Sequence, residues 1–330
     1  MKIVRRHFLF PLAAGVYVAA MLLFAASAHA QGLSVPPEAR AALEKLYSGD
    51  AEGSVAMARD FQKAHPDHPL GPLLEGEALW WKRYCGALEI KYGMVEAWSH
   101  SKDPGDESYF ALADHAIQLA QAQLAKSDTA EMHFYAGMGS ALKVRVLGLR
   151  SENRAAAHAA VAARTEMTRA LELDPQLADA TAALGLYNYY VDTLSPIVKV
   201  LRFFMGIPGG NRETGVAQMK TGMEHGVILN VDVRFILARA LRQYDQKYQE
   251  ALDIAEPLVA RYPQNPMFLL LAGNLNVELG RTAKAAEYFN AVSKLPEVAS
   301  AAGCCSRCAK CGSCAGHARG LAQEFFDSTR

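Results

Sequence analysis

The chain has 330 residues, of which 51% are hydrophobic and 21% are charged, a composition typical of a globular protein with a sizeable core. Its formal net charge is zero. Removal of residues 1–30 would take away three basic side chains and no acidic one, which leaves 31 basic and 34 acidic side chains. This balance argues against a nucleic-acid partner, which requires a clustered basic face.

The first 30 residues have the pattern of an export signal. A basic head over residues 2–6 precedes an apolar run over residues 8–26, and residues 28–30 (Ala-His-Ala) match the small-x-small cleavage rule. We expect cleavage after Ala30 and a periplasmic or cell-envelope location, reached by the secretory or the twin-arginine route, with no stable membrane span afterwards. The alternative is an uncleaved anchor, because the apolar run is long enough to span a bilayer.

The rest of the chain is predicted to be helical throughout. Alanine, leucine, glutamate, glutamine and lysine dominate it, and runs of β-branched residues are few. Proline lacks the amide proton that a helix interior needs, so the prolines between periodic segments indicate turns. These turn positions are Pro66, Pro69, Pro175, Pro263 and Pro266.

Two of these turns share a spacing that indicates an internal repeat. Residues 66–69 and 263–266 are both Pro-x-x-Pro, and each turn is followed at the same distance by two leucines and a glycine. The two glycines are Gly76 and Gly273. Helical units of related sequence therefore recur along the chain.

The repeat resembles the tetratricopeptide repeat (TPR). Ala251 and Ala285 lie 34 residues apart, which is the TPR period. Gly273, Gly280, Ala285 and Phe289 are similar to the glycine, turn, small-residue and aromatic positions of that motif. The resemblance implies an all-α, TPR-like helical-hairpin solenoid of about five helix pairs, with small residues where paired helices cross closely.

The TPR resemblance covers about residues 36–82 and 155–296, whereas residues 83–154 are helical but out of phase. We therefore divide the chain into a signal peptide and three further regions. These regions are an N-terminal helical region with degenerate repeats (31–128), TPR-like repeats with an insertion at 194–212 (129–296), and a Cys-rich tail with a capping helix (297–330).

The insertion interrupts one repeat. It follows the Tyr-Asn-Tyr-Tyr segment at 187–190 with Leu-Ser-Pro at 194–196, an apolar stretch and a Gly-rich turn at 206–213. This order resembles a eukaryotic TPR group linked to the clearance of mitochondrial and lipid-droplet inclusions. The whole arrangement also resembles exported bacterial TPR proteins. This resemblance implies an architecture and does not imply an activity.

Sequence patterns of common enzyme classes are absent. The chain has no His-Glu-x-x-His, residues 137–140 lack the last glycine of a nucleophile elbow, and residues 206–210 lack the Gly-Lys-Ser/Thr of a phosphate loop. His65 and His68 flank a turn without a carboxylate or cysteine at metal-ligand spacing, so we interpret them as exposed turn residues. We predict a protein without catalytic residues.

The C-terminal tail contains a dense cysteine cluster. Cys305, Cys308, Cys311 and Cys314 follow one another in steps of three residues. Thiolates at this density can hold zinc or an iron–sulfur cluster, whereas an exported location favours disulfides. A third interpretation is a capping helix over about residues 314–327 that covers the last repeat. The sequence leaves these alternatives open.

The concave side of a TPR solenoid is lined by the first helix of each repeat, and this predicts a peptide-binding groove. The predicted lining residues are Trp80, Trp81, Tyr189, Tyr190, Gln243, Tyr244, Asn274 and Glu278. Aromatic and amide side chains suit an extended peptide or an amphipathic helix. One member of each adjacent aromatic pair must be core, because neighbouring helix positions point about 100° apart. We expect a non-enzymatic protein- or peptide-binding scaffold; the alternative is a metal-binding or redox-linked protein that uses the cysteine cluster.

Overall fold

The computed structural model describes residues 32–87, 103–194, 199, 202 and 206–295. This part of the chain is all-helical and contains no strand, which confirms the predicted fold class. The export signal, the four clustered cysteines and much of the insertion lie outside the described residues. Among the described helices, none is long and apolar enough to cross a membrane.

Twelve α-helices of more than two turns make up the described structure. They are α1 (Pro37–Tyr47), α2 (Ala51–Ala64), α3 (Leu70–Ala87), α4 (Gly105–Leu124), α5 (Ala130–Leu149), α6 (Asn153–Leu173), α7 (Ala178–Thr193), α8 (Arg212–His225), α9 (Asn230–Ala240), α10 (Tyr248–Arg261), α11 (Pro266–Glu278) and α12 (Thr282–Ser293). A short π-helical turn, Leu241–Asp245, extends α9. The predicted boundary at residue 128 falls in the turn between α4 and α5, which pack against each other.

Consecutive helices pack as six hairpins. The pairs are α1–α2, α3–α4, α5–α6, α7–α8, α9–α10 and α11–α12, and each pair is also in contact with the next through helices adjacent in sequence. This is the arrangement of a helical-hairpin solenoid, with six pairs against the expected value of about five. The first helices of the pairs are therefore α1, α3, α5, α7, α9 and α11.

Side chains that precede the helices define several of their starts. Each of four residues accepts a hydrogen bond from a backbone amide in the first turn, which satisfies a donor that has no partner inside the helix. These capping residues are Asp50 before α2, Thr129 before α5, Asn211 before α8 and Asn265 before α11. The turns predicted from Pro66 and Pro263 lie between helices, as expected.

The last hairpin shows why the repeat needs its glycine and its aromatic residue. A Cβ atom added to Gly273 on α11 would lie 2.5 Å from the Phe289 ring of α12. The Phe289 ring therefore occupies the space that a side chain at position 273 would fill. Gly280, in the turn between these helices, has a φ of 70°, which glycine adopts without strain.

The two ends of the helical array meet through a cluster of aromatic side chains, which we call the closing junction. Tyr47 of α1 and Trp81 of α3 pack against Phe235 of α9, Tyr262 after α10 and Phe268 of α11. Ring centroids within the cluster are 5.2–5.9 Å apart in tilted and edge-to-face geometries. An ordinary solenoid has contacts only between neighbouring repeats. Here the first two hairpins also contact the last two.

Polar groups reinforce the closing junction. The Asn265 side-chain amide donates to the Tyr47 carbonyl oxygen at 2.9 Å, which fixes the end of α1 against the start of α11. On the outer side, Arg261 forms an ion pair with Glu44 at 2.5 Å, and the Tyr262 hydroxyl donates to the same carboxylate. Local sequence patterns do not predict this contact, because the paired residues are about 218 positions apart.

Candidate functional site

A cavity of about 360 Å³ lies on the first-helix side of the array, beside the closing junction. First helices α3, α5, α7 and α9 form most of its wall, and second helix α6 closes one side. The wall is mostly apolar, and its alanines Ala141, Ala160, Ala163 and Ala183 leave space that larger side chains would fill. Its volume falls in the range of sites that bind small organic molecules.

The structure brings three of the predicted groove residues, Trp80, Trp81 and Tyr190, to the wall of this cavity. Trp80 of α3 and Tyr190 of α7 both line the wall and are half-buried. The Arg145 guanidinium of α5 lies 5.6 Å from the centroid of the Trp80 ring, in the range of a cation–π contact. These aromatics therefore line a mostly apolar cavity rather than an open, flat groove.

Their sequence neighbours Trp81 and Tyr189 are the core members of the two aromatic pairs. Trp81 is 3% exposed, and its edge closes the cavity next to the closing junction. Tyr189 is fully buried, its hydroxyl donates to Asp245 at 2.8 Å, and the Arg212 guanidinium lies over its ring. Asn274 on α11 is also buried. These three predicted lining residues are inaccessible to a partner in this conformation.

The remaining predicted lining residues, Gln243, Tyr244 and Glu278, are exposed. Together with the half-buried Tyr190 they form a strip that we call the Tyr244 surface. Tyr244 is 44% exposed in the π-helical turn, and its ring centroid lies 6.2 Å from that of Tyr190. Arg242, from the same turn, donates to Glu278 at the end of α11 at 2.8 Å. Side chains from three consecutive repeats thus share one surface.

Charged side chains in the cavity were missed by the sequence analysis. Arg145 of α5, Arg164 of α6, and Arg239 and Asp232 of α9 line an otherwise apolar wall. The Arg145 guanidinium forms a two-oxygen contact with the buried Glu77 carboxylate at 2.6 and 2.7 Å. Arg164 lies on the second helix of its repeat. The repeat phase assigns second helices to the outer side, so the sequence did not indicate Arg164 as a lining residue.

Asp232 joins the cavity to the closing junction. Its two carboxylate oxygens accept hydrogen bonds from the Tyr47 hydroxyl at 2.6 Å and from the Trp81 indole nitrogen at 2.9 Å. Burial raises the pKa of Asp232 to about 7, the nearby Glu77 carboxylate adds to the rise, and Arg145 opposes it. Because both carboxylate oxygens accept these hydrogen bonds, the arrangement favours a structural role for Asp232 over a role as a general base.

Two histidine groups illustrate structural rather than metal-binding roles. His65 is exposed at the end of α2, and His68 accepts from the Leu70 amide through Nδ1 at 3.2 Å. The His133 ring lies between Glu166 and Asp128, with 2.5 and 2.6 Å contacts from its two nitrogens. Within the ranges that the structure describes, no group of three or more His, Cys, Asp or Glu side chains is arranged to hold a metal ion.

The chain matches no protein-family model, and no curated protein sequence matches it significantly.

Proposed function

We propose that this chain is a non-enzymatic scaffold of the cell envelope that binds a peptide or protein partner on the Tyr244 surface. The contact between Tyr190 and Tyr244 carries the proposal, because it joins the exposed Tyr244 ring to the half-buried Tyr190 ring of another repeat. Exposed aromatics bury much area when a partner docks and lose few rotamers, so they commonly dominate binding energy.

The chemistry around these rings suits an extended segment with an apolar anchor. Gln243 is exposed beside Tyr244 and carries an amide that can pair with a peptide backbone. Glu278 is also exposed and is held by Arg242, so the strip has a polar rim. An aromatic centre with a polar rim is the usual composition of a protein-binding surface.

A peptide-display selection against the mature chain tests this function. We expect selected peptides to bind the wild type and to lose affinity by about tenfold or more in Tyr244→Ala, because an anchor contributes at least about 1.4 kcal/mol. Tyr288→Ala is the matched control, since Tyr288 is a half-buried tyrosine on the second helix α12. Equal affinity of every selected peptide for the wild type and Tyr244→Ala would refute the proposed surface.

The envelope location rests on the export signal over residues 1–30. N-terminal sequencing of the mature protein from the exporting cell should begin at Gln31. An intact Met1 in the membrane fraction would instead identify the segment as an anchor.

The second candidate is a metal-binding or redox-linked function, favoured by the density of Cys305, Cys308, Cys311 and Cys314. Under that hypothesis, protein purified from the exporting cell holds zinc or iron in stoichiometric amount, and Cys308→Ser reduces it. Absence of metal together with mass-spectrometric detection of disulfides would rule out the metal-binding form.

A further inference from the structure

We propose that the alanine-walled cavity binds an apolar carboxylic acid, whose carboxylate pairs with Arg164. This inference goes beyond the peptide-binding function, because it concerns the interior of the cavity and a small molecule rather than the Tyr244 surface. Three features carry the inference: the charge balance of the wall, the position of Arg164 and the composition of the apolar lining.

The positive charges in the cavity are not equally compensated. Arg145 is paired with Glu77 through both carboxylate oxygens. The Asp232 oxygens are directed at Tyr47 and Trp81. Among the residues that the structure describes, no carboxylate forms an ion pair with Arg164, although its side chain lies on an apolar wall. A guanidinium in such surroundings favours an anion, since the low dielectric strengthens the attraction.

Arg164 is held in position at the cavity wall. Its guanidinium lies 5.7 Å from the centroid of the Tyr187 ring, and the Tyr187 hydroxyl donates to the carbonyl oxygen of Pro208 at 2.8 Å. The Tyr187 side chain, which supports the Arg164 guanidinium, therefore has contacts at both its ring and its hydroxyl. A planar guanidinium on a fixed platform can offer two parallel N–H donors to a carboxylate with little loss of rotamer freedom.

The remaining lining residues favour a ligand that is apolar apart from its carboxylate. Met138, Val144, Met167, Leu186 and Ile236 surround the space that the alanines leave open. Methionine side chains adapt to irregular ligands, and aliphatic walls provide no hydrogen bonds. The Arg164 guanidinium carries one positive charge, which a monoanion balances, so a carboxylate fits it better than a dianionic phosphate ester. Arg239 lines the same wall, and its guanidinium lies 5.9 Å from the centroid of the Phe235 ring.

Titration of the mature full chain with dodecanoate, followed by tryptophan fluorescence and calorimetry, tests the proposal. Trp80 and Trp81 line the cavity, so occupancy should change their emission. We expect dodecanoate to bind at least about tenfold more tightly than dodecanol, which shares its chain but lacks the charge, a difference of about 1.4 kcal/mol. Dodecyl phosphate distinguishes a carboxylate site from a phosphate site.

Paired variants locate the site. Arg164→Met should weaken dodecanoate by about tenfold or more, Arg164→Lys by less, and the exposed Arg154→Met on the same helix should leave affinity within about twofold. Ala160→Leu should block the cavity, whereas Ala162→Leu on the exposed side of α6 should not. These alanine variants keep the test valid if Arg164→Met fails to fold.

Several results would overturn the inference. They are equal binding of dodecanol and dodecanoate, tighter binding of dodecyl phosphate, no binding of any of the three, or unchanged dodecanoate affinity in Arg164→Met or Ala160→Leu. Peptide binding should survive Arg164→Met and fail in Tyr244→Ala, while dodecanoate binding should show the reverse pattern. Failure of the small-molecule site is therefore distinguishable from failure of the peptide surface.

Discussion

The closing junction and the neighbouring cavity are built from the same faces of the first helices, yet one is filled and the other is open. At the junction, Tyr47, Trp81 and Phe268 fill the interior and join the ends of the array. In the cavity, Ala141 and Ala183 occupy the corresponding inner sides of α5 and α7. Side-chain volume at a few positions thus decides whether the interior of this solenoid is filled as core or left open as a cavity.

The largest expected effect comes from emptying the junction. Trp81→Ala should lower the free energy of unfolding by about 3–5 kcal/mol, because it leaves a cavity and removes the donor to Asp232. Chemical denaturation with both circular dichroism and fluorescence measures this loss. Trp80→Ala is the control at the cavity, where the side chain is half-buried and we expect a smaller loss. Equal losses would remove the distinction between the two regions.

Breaking the buried ion pair at the border of the two regions should cost nearly as much. Arg145→Met leaves the Glu77 carboxylate buried without its guanidinium, so we expect a loss of about 3–5 kcal/mol. Combining it with Glu77→Gln should recover much of that loss, as the double variant has no unpaired charge. Removal of the exposed Lys284–Glu287 pair should change stability far less, because water and salt screen an exposed ion pair. A double variant as unstable as Arg145→Met would contradict this reading.

The pH dependence of stability tests whether the pKa of Asp232 is raised in the folded chain. Its folded pKa, about 7, exceeds the ordinary value of 3.8, so between these values the folded chain holds a proton that the unfolded chain has released. The contribution of Asp232 to stability is thus complete below about pH 4 and is lost as pH rises through 7. Glu77, Arg145, Tyr47 and Trp81 surround the group and set this shift.

Unfolding of wild type and Asp232→Asn across this pH range measures the effect. The stability of the wild type relative to Asp232→Asn should fall from pH 4 to pH 8, because asparagine does not titrate. A constant difference over the whole range would show that Asp232 titrates normally in the folded chain.

The smallest effect should come from filling the cavity. Ala160→Leu adds a side chain where space is available, so we expect a change within about 1 kcal/mol. Ala78→Leu places the same side chain at a fully buried position on α3 and should destabilise by about 1–3 kcal/mol. Thermal unfolding of the two variants compares them, and a similar loss in both would mean that the cavity is not available to a ligand.

The sequence predicted what depends on local patterns. Prolines indicated turns that do lie between helices, and the motif that contains Gly273 and Phe289 placed two residues that do touch. The pattern could not decide between Trp80 and Trp81, because both fall near the inner side of one helix. It also could not predict the contact of Tyr47 with Asp232, 185 residues apart, since periodicity carries no information on how strongly a solenoid curves.

The sequence analysis did not identify Arg164 as a cavity residue, for a related reason. Its repeat phase assigns it to an outer helix, whereas the structure places it in the cavity wall together with residues of α5 and α7. A run of alanines with one arginine on a helix is an ordinary solvated pattern in sequence. The functional meaning of such a residue emerges only when the neighbouring helices are in place.

A double-variant cycle of Tyr47→Phe and Asp232→Asn tests most directly whether the two ends of the array meet. The Tyr47 hydroxyl donates to the Asp232 carboxylate at 2.6 Å in a buried site, so the two positions should be strongly coupled. We expect a coupling energy of about 1 kcal/mol or more in denaturant unfolding at neutral pH. Additive effects, within about 0.3–0.5 kcal/mol, would mean that the residues lie apart and that the solenoid is open.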